Sequence, residues 1–109
     1  MNTVRPFPFE NLDVYKLALS VAHRVAALPW PRGRGALKDQ AMRATESIVL
    51  NLAEGSGRGP GAAMRNHFRI ALGSAGEALA ALALLDLETE ELRNDLRRVG
   101  AMLFRLSRK

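Results

Sequence analysis

Gln40, Arg43, Ser47, Asn51 and Glu54 recur at steps of three, four, four and three residues. On a helix they form one row of amide, guanidinium, hydroxyl, amide and carboxylate. Such a row has two uses. Glu54, with Asn51 and Arg58 beside it, could polarise a bound group; alternatively, the same side chains could fix the register of a helix contact. A lone carboxylate next to an arginine more often makes a structural ion pair, which favours the second use. We therefore read Gln40, Arg43, Ser47, Asn51, Glu54 and Arg58, with Ser74 and Glu77 from a later helix, as a structural polar network.

Other routes to catalysis are poorly supplied. His23 and His67 are the two histidines and fall on different predicted helices; cysteine, a His-Glu-x-x-His pattern and carboxylates at metal-ligand spacing are all missing. Each histidine is expected to be satisfied by a hydrogen bond or exposed. The run Gly55-Ser56-Gly57-Arg58-Gly59-Pro60-Gly61 lacks the closing Lys-Ser/Thr pair of a phosphate-binding loop and follows a helix, so it is expected to be a helix-to-helix turn. No enzyme activity, cofactor or metal is predicted.

The elements that position these residues are helical. In 109 residues, with 48% hydrophobic and 25% charged, there is room for one domain, 1–109, with one modest core. Residues 1–10 carry two prolines and two phenylalanines and read as an extended arm pinned to an apolar groove through Phe7 and Phe9. Asn11 is expected to cap a first helix whose apolar stripe is Leu12, Tyr15, Leu19, Ala22 and Ala26. In the second, Leu37, Ala41, Ala44, Ile48 and Leu52 share a face, while Met42, Val49 and Ala53 widen it and Leu50 lies opposite. Phe68, Leu72, Ala75, Leu79 and Leu82 form the third seam, with Gly73 and Gly76 marking an expected close helix crossing. Leu92, Leu96, Val99, Leu103 and Leu106 form the fourth, capped by Thr89. The fold predicted is all-α, an antiparallel up-and-down four-helix bundle with helices at about 11–28, 35–55, 62–87 and 89–106. Trp30, between Pro29 and Pro31, is expected to pack over a bundle end.

The formal net charge is +5 and the sequence pI near 10.7, the footprint of a chain that meets phosphates, although arginine also serves solubility. Candidate nucleic-acid contacts are Arg32, Arg34 and Lys38 at the start of the second helix, Arg65 and Arg69 on the third, and Arg93, Arg97 and Arg98 on the fourth. Lack of cysteine, of an apolar leader in the opening residues and of any membrane-length apolar run leads us to expect a cytoplasmic location and no membrane association.

Gln40-x-x-Arg43-Ala44-x-x-Ser47-Ile48-x-x-Asn51-Leu52-Ala53-Glu54-Gly55-x-Gly57-Arg58 resembles the signature of bacterial four-helix-bundle proteins encoded by intervening sequences in 23S ribosomal RNA genes. Leu12-x-Val14-Tyr15-Lys16-x-Ala18 and Ala71-Leu72-Gly73-Ser74-x-x-Glu77 resemble that family's first- and third-helix motifs. The chain departs from the pattern at Pro60-Gly61-Ala62-Ala63, where a serine or threonine cap and an acidic residue are usual. The accessory variability protein of diversity-generating retroelements is similar to the family. The resemblance implies a homopentameric barrel and suggests a protein partner such as a reverse transcriptase. Function is then expected to be that of a non-enzymatic, oligomeric nucleic-acid-binding accessory protein with RNA favoured. The alternative is a protein-interaction scaffold that binds no nucleic acid.

Overall fold

The computed structural model describes residues 4–109. It contains four α-helices, α1 Asp13–Ala27, α2 Gly35–Gly57, α3 Ala62–Ala83 and α4 Glu90–Leu106, preceded by a 3-10 turn at Pro8–Asn11. Sequential helices pack side by side and α4 closes on α1. The register of the contacts descends one helix as it ascends the next, as in an up-and-down bundle. Ser47 meets Ser74 while Asn51 meets His67, and Arg24 meets Asp95 while Leu12 and Val14 lie near Met102 and Leu106. The molecule measures 43 × 39 × 21 Å, about two helix diameters thick.

The core follows the expected seams on α2, α3 and α4 in part, with Leu37, Leu72, Leu79 and Leu106 of those seams only half-buried at its margin. Ala41, Ala44, Ile48 and Leu52 are buried on α2, Phe68, Ala71, Ala75, Ala78 and Leu82 on α3, and Leu92, Leu96, Val99 and Leu103 on α4. Each fully buried Leu, Ile or Val contributes about 1.5–3 kcal/mol by leaving water. On α1 the buried stripe is Val14, Ala18, Val21 and Val25, one residue away from the stripe predicted by spacing. Leu12, Tyr15, Leu19 and Ala22 are half-buried and Ala26 is exposed. Both stripes are apolar and helical, and a shift of one residue is a rotation of about 100°.

Several ends differ from their expected form. Asn11 does not cap α1: it belongs to the 3-10 turn, Leu12 takes the capping position, and no side chain bonds to the helix start. The expected extended arm therefore ends at Phe7, where the Glu10 carboxylate accepts the Phe7 N–H at 2.6 Å. Phe9 packs edge-on against Tyr15, but Phe7 is 67% exposed rather than docked in a groove, and residues 1–3 of the expected arm lie outside the described residues. Trp30 is half-buried and its Nε1–H donates to the Val25 carbonyl at 2.9 Å, which also accepts the Leu28 N–H at the end of α1.

α2 runs two residues past its expected end, and Gly59 and Gly61 then take positive φ angles of 74° and 146° that a side chain would strain. α3 stops at Ala83, short of the expected 87. Leu84 and Leu85 bond back three residues to Ala81 and Leu82, and Arg34 donates to the Leu84 carbonyl at 3.2 Å. That capping arrives from another helix, so no local breaker was needed. Thr89 occupies the capping position of α4, yet Glu88 accepts the Glu90 N–H while the Thr89 hydroxyl is buried and accepts from Arg93.

Candidate functional site

Two α2 residues and two α3 residues form one hydrogen-bonded chain. Ser74 Oγ donates to Ser47 Oγ at 2.8 Å; Asn51 Nδ2 donates to the Ser47 carbonyl at 2.9 Å and to its hydroxyl at 3.2 Å. A carbonyl cannot donate, so the Asn51 amide is oriented with Oδ1 toward His67, 2.9 Å from Nδ1. His67 Nδ1 therefore carries a proton, and Nε2 is the acceptor in the neutral ring. Directly beyond, a Cβ on Gly55 would lie 2.9 Å from His67 Cβ and 3.0 Å from Phe68. The close helix approach is here. It was expected at Gly73 and Gly76, but a Cβ at either meets nothing within 4 Å, because both face away from the neighbouring helices.

Of the predicted network, the structure joins Ser47, Asn51 and Ser74. Glu54 and Arg58 pair with each other at 3.1 Å, both about half-exposed, apart from that chain. Arg43 reaches only its own helix's Asp39 carbonyl at 3.5 Å, and Gln40 and Glu77 are exposed. Sequence reasoning did not include His67, although its spacing of seven from Ser74 places both on one face of α3.

The opposite helix pair is held by charge. Arg24 on α1 meets Asp95 on α4 at 2.6 Å, and Arg98 meets the same carboxylate at 3.3 Å. Arg93 and Arg97 both pair with Glu90. These residues lie in the half of the bundle away from the α2–α3 turn, where eight cations are matched by eight carboxylates. Beyond the level of Ser47, Ser74 and Arg98, toward the α2–α3 turn, lie Arg5, Lys16, Arg58, Arg65, Arg69, Arg105, Arg108 and Lys109, against only Glu10, Asp13 and Glu54. The whole formal charge of +5 belongs to this half.

A family model described as 23S rRNA-intervening sequence protein matches residues 10–105. The chain belongs to this family. No curated protein and no solved structure gives a significant match.

Within this intervening-sequence protein the predicted phosphate contacts are divided between the two ends. Arg32, Arg34 and Lys38 sit at the start of α2, with Arg34 engaged by the end of α3. Arg93, Arg97 and Arg98 are tied to Glu90 and Asp95. Arg65 and Arg69 open α3 at the cationic end, where Arg65 donates to the Lys109 carbonyl at 3.2 Å. Arg105, Arg108 and Lys109, not among the predicted contacts, join them there.

An apolar groove of about 300 Å³ runs between α1 and α2, lined chiefly by Leu19, Ala22, Ala26, Met42, Val49 and Leu50, with His23 and Glu46 at its polar edge. It is formed by the α1 stripe that the core does not use and the widened arc of α2. Among the described residues no group of three or more His, Asp or Glu is placed to hold a metal ion, and no helix is long and apolar enough to cross a membrane.

Proposed function

We propose that the protein is a non-enzymatic, cytoplasmic, oligomeric nucleic-acid-binding accessory protein that contacts structured RNA or an RNA–protein complex, such as one containing a reverse transcriptase. The observation that carries this reading is the confinement of the net +5 to one half of the bundle. A scattered charge of this size would serve solubility; collected on one end, it matches a dense array of phosphates. Self-association strengthens the match. In a cyclic ring, equivalent ends of all copies lie at one level, so five copies would multiply the cationic surface without a new residue. The open α1–α2 groove and the unused apolar stripe of α1 support association with further copies, and the homopentamer implied by the family resemblance is the assembly proposed.

The test is a gel-shift series with a structured RNA between about 50 and 200 mM salt, over which binding through several phosphates weakens steeply. Replacing Arg65, Arg69 and Arg105 by Gln is expected to weaken binding and to flatten the salt dependence by about one unit of slope per lost contact. Replacing Arg32, Arg34 and Lys38 should have a smaller effect, because the carboxylates of that half offset them. Failure to retain RNA or DNA at the lowest salt would sink the reading. The scaffold alternative would remain, favoured by the groove, and sedimentation would test it separately.

A further inference from the structure

Phe104 is, beside Phe7 of the N-terminal arm, an exposed aromatic of the cationic end. It lies on the last turns of α4, is 50% exposed, and carries the Arg108 guanidinium 4.9 Å from its ring centroid. Arg97, Ala101, Phe104 and Arg108 follow at steps of four, three and four, so they share one stripe of the helix. Ala101 is exposed and small, which leaves the surface one turn before the ring low. Ser107, buried beside this stripe, donates its hydroxyl to the Phe104 carbonyl at 2.9 Å and holds the final turn in place.

A solvated phenylalanine has no use in a simple phosphate surface, since phosphates are met by charge alone. A flat ring with a guanidinium against it is different: bases stack on aromatic faces and on arginine planes, while neighbouring cations track the backbone. Arg105 and Lys109 supply such cations on the same turn. A duplex hides its base faces against each other, so only an unpaired nucleotide can use the ring. We infer that Phe104 and Arg108 form a stacking site for an unpaired base, so that the cationic end recognises single-stranded segments, such as loops or bulges, of a bound RNA. This rests on the nucleic-acid reading above and adds to it a preference that charge does not create.

The experiment is fluorescence anisotropy at low salt with two labelled probes, a single-stranded oligoribonucleotide and a blunt RNA duplex with the same number of phosphates. Phe104→Leu keeps an apolar side chain on a half-exposed site but removes the π-face. It is expected to lower single-strand affinity by about tenfold, in the range of one lost stacking contact, with the salt slope unchanged and duplex affinity unaltered. Phe104→Tyr should retain wild-type affinity for both probes. Equal losses on the two probes, or no loss on the single strand, would overturn the stacking site while leaving the nucleic-acid reading intact. Absence of binding by the wild type to either probe would overturn both.

Discussion

The α2–α3 and α1–α4 pairs are both clamped by polar groups, but by opposite physics. α2 and α3 are joined by neutral hydrogen bonds through Ser47, Asn51, Ser74 and His67, placed beside the close approach at Gly55. α1 and α4 are joined by Arg24 and Asp95, with Arg98 sharing the carboxylate. Neutral bonds act over hydrogen-bond distance and are indifferent to salt; ion pairs reach further and are screened. The difference teaches where the molecule uses its charge. The α2–α3 clamp uses no charge and adjoins the end where cations are in excess, whereas the α1–α4 clamp consumes carboxylates and arginines together.

The largest way to break this comparison is at Gly55. Gly55→Ala places a Cβ against His67 and Phe68 and is expected to cost about 1–3 kcal/mol, the usual range for an overpacked contact, read as a lower denaturation midpoint. A midpoint equal to wild type would show that the two helices can separate without loss. Next in size, Asn51→Leu removes bonds to Ser47 and His67 and should cost about 1–2 kcal/mol, equally at low and high salt. Asp95→Asn should cost about 1 kcal/mol or less at low salt, since Arg24 is partly exposed, and the loss should shrink as salt is added. Parallel salt dependence in these two variants would erase the distinction between neutral and ionic clamps. The smallest effect sharpens the contrast by its sign: Gly73→Ala, with open space around its Cβ, should stabilise the chain by up to about 1 kcal/mol through helix propensity.

Part of the site was legible at the level of residue types. Ser47 and Asn51, singled out by spacing, and Ser74, read with them from a later helix, do meet across α2 and α3. His67 was missed because seven-residue spacing from Ser74 marks a shared face without saying what lies opposite it. The glycines of α3 misled for a related reason. Glycine permits a close approach, but Gly73 and Gly76 face open space while Gly55, inside what read as a helix end, meets the neighbour. The even spread of candidate arginines over three helices gave no hint that one half of the bundle would neutralise its own charges.

The sequence by itself determined the helix count, the approximate boundaries and the inward faces of α2, α3 and α4, because hydrophobic spacing near 3.6 residues admits one buried arc when the opposite arc is polar. On α1 that condition fails. The stripe of Val14, Ala18, Val21 and Val25 and the neighbouring one of Leu19, Ala22 and Ala26 are both apolar, so only packing against α2 and α4 decided which faced the core and which was left to line the groove. Helix ends capped from a distance, as Arg34 does for α3, and the collection of charge at one end were likewise settled by tertiary structure, since both depend on residues far apart in the chain.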